Sequence, residues 1–211
     1  MAATSVLVVR DLYRRFGHRE VIGGLDLSVD VGGRIALWGP NGSGKSTILR
    51  CIAGSVHPSR GSAEIKGHRA GSLAARTLVG TSFSQERSFY LRLDGRRNLV
   101  FYAQVRGYSR REAERLVRSL SDELHLDHIL AERVDRCSSG MIQQLAFARA
   151  LIGSPTLLLL DEPTRSLDEA ASARLWKALH DRSRVAVLIA THRREDLEEC
   201  DSRIELPLVS A

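Results

Sequence analysis

The stretch "RIALWGPNGSGKSTILRCIAG" constrains this chain more than any other. An apolar run, Ile35 to Trp38, reads as a buried strand. Gly39, Pro40, Asn41, Gly42, Ser43, Gly44, Lys45, Ser46 and Thr47 follow, and then a helical pattern with Ile48, Leu49 and Ile52 on one face. This is G-x-x-x-x-G-K-S between a strand and a helix. Its glycines let backbone N–H groups turn inward around phosphate oxygens with no Cβ in the way. The new helix points its positive end at the same charge. The pattern assigns Lys45 to the β- and γ-phosphates of a nucleotide. It assigns Ser46 to Mg2+, a small cation that takes a few protein oxygens together with phosphate.

A second stretch, "SPTLLLLDEPTRSLD", supplies the acidic counterpart. Thr156 to Leu160 form the kind of continuous apolar run that a central parallel strand requires. Asp161 stands at its C-terminal end, where ligands sit in open α/β sheets, and is expected to hold Mg2+ directly or through water. Glu162 is next, points elsewhere than Asp161, and is placed to orient or deprotonate an attacking water. Two acids capping the following helix is the competing reading. "VAVLIATHRRED" reads as a further buried strand that ends at Thr191 and His192. His192 is expected at the γ-phosphate, with a surface role as the alternative.

The remaining features narrow the class. A chain of 211 residues is long enough for one domain with a sizeable core. The N-terminus lacks the apolar stretch of a signal peptide, and the longest apolar runs are too short to span a bilayer. Cys51, Cys137 and Cys200 are odd in number and form no CxxC pair, so neither a disulfide framework nor a zinc site is expected, and a reducing compartment fits. Net charge is +6, carried almost wholly by arginine, with Lys45, Lys66 and Lys177 the only lysines. Most of that charge reads as solvated surface, and no nucleic-acid partner is expected.

With these residues in order, the chain resembles the ATP-binding subunit of an ABC transporter over about residues 8–204. "GPNGSGKST" resembles the Walker A motif, and "LLLLDEPT" resembles Walker B with Glu162 at the catalytic position. "SLD", with Asp168, resembles the D-loop, and His192 matches the switch histidine. Gln85, after "LVGTSFSQ", matches the Q-loop glutamine, which contacts Mg2+ and senses the membrane subunit. Phe16 falls where the family stacks an aromatic on adenine. Ordinary packing competes for Phe16, and Tyr13 is a second candidate. The resemblance implies a P-loop NTPase of ABC type: a parallel-sheet core, an N-terminal antiparallel part and an inserted helical subdomain. It places the core at about 1–85 and 154–211 and the helical subdomain at about 86–153, all within one domain, 1–211.

"CSSGM", residues 137–141, stands where the family has LSGGQ. There the segment of one subunit closes over the ATP of the other. Ser138 and Gly140 stay, Ser139 replaces a glycine, Met141 a glutamine and Cys137 a leucine. A hydroxyl, a glycine permitting close approach and a helix beyond are all retained, so the motif is expected to be altered but competent. A degenerate site is the alternative. Before it, Asn98 to Val105 and "SRREAERLVRSL" read as helices, the second with Ser109 as N-cap and Leu116, Val117 and Leu120 as its apolar face. "LRLDGRRNL" resembles the LT-x-x-E-N-L of exporter ATPases, with Asp94 and Arg97 altered. Arg87, Arg92, Arg96 and Arg97 are expected towards the membrane side.

The resemblance implies ATP and Mg2+ as cofactors and hydrolysis coupled to transport. It implies membrane permease subunits as partners, pairing as a homodimer or with another ABC ATPase, and a peripheral site on the cytoplasmic face of the inner membrane. The signature is more like those of exporters, with a glycan or lipid-linked cargo preferred and haem or drug export open. A soluble ABC ATPase of the iron–sulfur assembly type is the alternative from another class. A non-hydrolysing regulator is disfavoured by Lys45, Asp161, Glu162, Gln85 and His192.

Overall fold

The structure, a computed structural model, describes residues 5–83 and 88–208. In chain order the strands are β1 Ser5–Phe16, β2 Arg19–Asp30, β3 Arg34–Trp38, β4 Arg60–Ile65, β5 His68–Arg69, β6 Val79–Ser82, β7 Leu157–Asp161, β8 Ala186–Thr191 and β9 Ser202–Glu205. The helices are α1 Lys45–Ala53, α2 Leu73–Leu78, α3 Gly95–Val105, α4 Arg110–Leu124, α5 Asp127–Ala131, α6 Ser139–Leu151, α7 Glu169–Asp181 and α8 Arg194–Glu198.

These strands form two sheets. One is antiparallel, in the order β2-β1-β4-β5, and the other runs β6-β7-β8-β3-β9 with every pair parallel. β7 explains why its sequence reads as unbroken leucine. Leu157 and Leu159 enter a core shared with the antiparallel sheet and α1. Leu158 and Leu160 enter a second core shared with α4, α6 and α7. A strand covered on both faces has no solvent side on which to place a polar residue.

The helical stretch between β6 and β7 follows local rules. Ser109 caps α4, and its side chain and that of Glu112 form a reciprocal capping box. Val117 and Leu120 are buried and Leu116 packs against the same core, as expected. α3 begins a turn earlier than its apolar spacing indicates. Asp94, its N-cap, accepts from the Arg97 N–H at 2.7 Å, which brings Gly95 to Arg97 into the helix. Asp and Thr are both favoured caps, so the Asp94 departure from the exporter stretch keeps the same local structure.

Asn98 is fully buried and organises the segment ahead of α3. Its Oδ1 accepts from the Tyr90 N–H at 2.8 Å, and its Nδ2 donates to the carbonyls of Tyr90, Leu93 and Asp94. All three cysteines are free. Burial pushes the Cys51 thiol up to about 11 and that of Cys200 up to about 12. No helix among the described residues is long and apolar enough to cross a membrane.

Replacing Asn98 with alanine leaves the Tyr90 N–H without its acceptor and takes one of two donors from the carbonyls of Tyr90, Leu93 and Asp94. We expect a loss of about 2–4 kcal/mol, read as a lower urea midpoint at unchanged slope. A midpoint equal to wild type would exclude Asn98 as the organiser of this segment.

Candidate functional site

Three segments leave the parallel sheet at one edge. β3 delivers the Gly39–Thr47 loop, β7 delivers Asp161 and Glu162, and β8 delivers Thr191 and His192. The loop turns into α1 at Gly44, which has φ 91° and sits so close to β2 that a Cβ would meet the Val21 carbonyl at 2.6 Å. Only glycine suits that position. No side chain caps α1 and no acid stands in its first turn, so its terminal N–H groups and dipole face the cavity unopposed.

A cavity of about 400 Å3 lies over this loop. Asn41, Gly42, Ser43, Gly44, Lys45, Ser46 and Thr47 line it together with Asp161 and Glu162. Gly39 and Pro40 contribute behind it through their carbonyls, which accept from the Lys45 ammonium at 2.6 and 3.0 Å. Burial lowers the Lys45 pKa, and the carboxylates of Glu162 and Asp161 partly oppose that shift. An incoming phosphate would compete for these same ammonium hydrogens. Ser46 Oγ donates to Asp161 Oδ1 at 3.0 Å. This pair presents two hard oxygens at the cavity, a donor set that suits a Mg2+ ion completing its shell with phosphate and water.

Among the described residues of the site, Glu162 is the one with a strained backbone. Its φ is 50°, in the left-handed region, at a cost of about 1–3 kcal/mol for a non-glycine residue. Its N–H still donates to the Ala190 carbonyl at 2.8 Å. The turn at Glu162, rather than strand pleating alone, is what sends its carboxylate to His192, where Oε1 meets Nδ1 at 2.7 Å. The second oxygen, Oε2, is buried with no hydrogen-bond partner. Neither acid of this pair caps a helix. α7 is capped by Asp168, whose Oδ1 accepts from the Ala171 N–H at 2.7 Å.

Other expected site residues lie apart from the cavity. Ser138 caps α6, its Oγ accepting from the Met141 N–H at 3.2 Å, and Ser139 opens the helix. Gly140 permits a close approach, but to its own chain: a Cβ there would lie 2.5 Å from the Ser166 carbonyl. Cys137 and Met141 pack against the core beside α6. Phe16 is 47% exposed, with the Arg14 guanidinium 4.2 Å from its ring centroid, and does not line the cavity. Tyr13 is turned into the antiparallel sheet, against Gly24 and under Arg60. Gln85 and Arg87 lie outside the described residues.

The sequence reading missed Arg19, Val21 and Arg165, which also line the cavity. It missed Asp196 too. This fully buried carboxylate accepts from Thr164 Oγ1 at 2.7 Å and Thr191 Oγ1 at 2.6 Å. Arg193 extends the tie by donating to the Thr164 carbonyl at 2.8 Å. The loop after Glu162 and the loop carrying His192 are thereby fastened together beneath the pair they present. The only advance sign was an acid a few residues after a strand end, which many helix starts share.

Comparison with known proteins gives the following. A family model described as "ABC transporter" matches residues 22–165. A Nod factor export ATP-binding protein I of Burkholderia orbicola is 37% identical over 199 residues, covering 91% of this chain and 64% of that protein. A sulfate/thiosulfate import ATP-binding protein of Synechococcus elongatus is 33% identical over 200 residues, covering 93% and 58%. The chain thus spans less than two thirds of the curated relatives it matches first. A solved structure of an ATP-binding subunit of an ABC transporter superimposes with a TM-score of 0.86 at 30% identity, covering 95% of this chain and 85% of that one. A cassette solved as a post-hydrolysis dimer with ADP and Pi shares the fold, with a TM-score of 0.84 at 21% identity.

Replacing Asp196 with alanine takes the acceptor from two buried hydroxyls and leaves the Arg193 bond to the Thr164 carbonyl as the tie between the loops. We expect about 2–4 kcal/mol of destabilisation, read in thermal or urea unfolding. An unfolding curve that matches wild type would show that the two loops do not depend on this carboxylate.

Proposed function

The chain belongs to the ABC transporter family, and from that premise we propose that it is the ATP-binding and ATP-hydrolysing subunit of an export transporter. One observation carries the reading: Lys45, Ser46, Asp161 and Glu162 converge on a single cavity, with Glu162 already held by His192.

In this reading the first turn of α1 and the loop N–H groups take the phosphate oxygens. Lys45 exchanges its loop carbonyls for the β- and γ-phosphates. Ser46, Asp161 and Gln85 would hold Mg2+, which, when bound, neutralises phosphate charge. Glu162 receives the proton of the attacking water on Oε2, its unpartnered oxygen, while Oε1 remains on His192. That places acceptor and orienting group on one carboxylate, and such general-base help is worth about 10²–10⁴-fold in rate.

Closure of two copies, or of one copy with a homologous partner, places Ser138, Ser139 and Gly140 over the neighbour's nucleotide, with Asp168 at the junction. The Ser138 oxygen is occupied as a cap acceptor, but among the described residues its hydroxyl hydrogen has no acceptor and is available to a γ-phosphate. Binding closes the pair and hydrolysis resets it. Membrane permease subunits would dock on the helical stretch, where Tyr90, Leu91 and Phe101 are exposed in the same segment as Arg92, Arg96 and Arg97. Aromatic centres with arginine around them are what such interfaces favour. This docking would hold the protein at the cytoplasmic face of the membrane.

The export direction is supported by the altered signature and by relatives named for export. Relatives named for sulfate import make import the competing direction. We extend the reading to a glycan or lipid-linked cargo on the signature alone.

The variant Glu162→Gln should bind ATP, lose turnover by about 10²–10⁴-fold and become a dimer by mass when Mg-ATP is added. A variant that binds ATP yet stays monomeric would reject homodimer closure through "CSSGM". Direction is read in inside-out vesicles that hold the chain with its permease: ATP-driven uptake of cargo supports export, and ATP-driven loss supports import.

A further inference from the structure

Two guanidiniums, those of Arg19 and Arg165, line the phosphate cavity with no other partner among the described residues. Arg19 opens β2 across a two-residue turn from Phe16, its register partner. Directly opposed residues of an antiparallel pair share a face. Phe16 and Arg19 therefore stand side by side, and Arg19 lines the cavity next to Val21 and Gly44. Arg165 comes from the other chain segment, three residues beyond Glu162. Its N–H donates to the Glu162 carbonyl at 3.2 Å, and the preceding Thr164 is pinned to Asp196 and Arg193. The root of Arg165 is fixed while its side chain is exposed. Among the described residues neither guanidinium has a hydrogen bond or an ion pair, although this chain gives many of its other arginines a carboxylate or carbonyl.

The charge of the cavity gives them a purpose. Among the charged side chains of the lining, apart from these two, Lys45 alone faces two carboxylates, Asp161 and Glu162. With Arg19 and Arg165 the side-chain charge of the lining turns from net negative to net positive. Arginine also offers a planar fork of donors that matches phosphate oxygens in pairs.

We propose that Arg19 and Arg165 clamp the polyphosphate of the nucleotide, Arg165 on the terminal phosphate and Arg19 on the phosphates nearer the base. The assignment follows from their neighbours. Arg165 belongs to the turn that presents Glu162, where hydrolysis would occur, and Arg19 shares its hairpin with Phe16. The clamp rests on the nucleotide-binding reading above and gives this site a means to distinguish ATP from ADP.

The test is equilibrium binding of ATP and of ADP to the purified chain, with melting temperature as a check on folding. Arg165→Gln should weaken ATP about 10- to 150-fold, the size expected for a charge-assisted hydrogen bond, and ADP by less than about 2-fold. Arg19→Gln should weaken both nucleotides alike. Arg165→Lys keeps charge without the fork and should recover part of the loss. Arg118→Gln, on the exposed side of α4, should change neither. Wild-type affinities in both glutamine variants would overturn the clamp. Equal loss of ATP and ADP in Arg165→Gln would overturn the terminal-phosphate assignment. A wild-type chain that binds neither nucleotide would instead overturn the nucleotide reading, and the clamp with it.

Discussion

The site depends on parallel strands that stop level with one another. Trp38 on β3 pairs with Thr191 on β8, and Asp161 on β7 pairs with Ala190 of the same β8. Adjacent strands lie about 4.8 Å apart, so three consecutive strands deliver their exits within about 10 Å of one another. The phosphate loop, the carboxylates and the histidine are brought together by sheet register before any loop conformation matters. The register is in turn held by burial. β7 divides its leucines between two cores, and a slip by one residue would exchange the contents of both.

The loops then refine what the register supplies. A left-handed backbone at Glu162 turns one carboxylate away from Ser46 and towards His192, and Asp196 ties the loops on either side. Strain of this kind persists only where its surroundings over-determine it. The continued pairing of the Glu162 N–H with β8 and the two hydroxyl bonds to Asp196 meet that condition.

What could be read in advance was whatever is local. The phosphate loop announces itself because one short segment must hold glycine, lysine and serine in fixed order. The leucine run of β7 and the Ser109 cap of α4 are equally self-contained. Gly95 and its neighbours gave no helical signal, because the start of α3 comes from the Asp94 cap and from Asn98 reaching back to Tyr90. The Asp196 tie joins residues 32 positions apart through one carboxylate. Arg19 and Arg165 were hidden for a different reason: in a chain so rich in arginine, only position distinguishes two of them. Phe16, which the sequence suggested for adenine stacking, has its ring 47% exposed beside the Arg14 guanidinium.

The contact between Gly140 and the Ser166 carbonyl has a consequence for genetics. In the sequence, that glycine looks like a residue kept bare for the sake of a ligand. In the fold a neighbouring loop requires it bare as well, with a clearance smaller than a methyl group needs. An allele that fills this position would wedge the start of α6 away from the segment running to Asp168 before any second molecule arrived. Its phenotype would therefore be a lesion of internal fit, and suppressors should map to residues around Ser166 rather than to the phosphate loop.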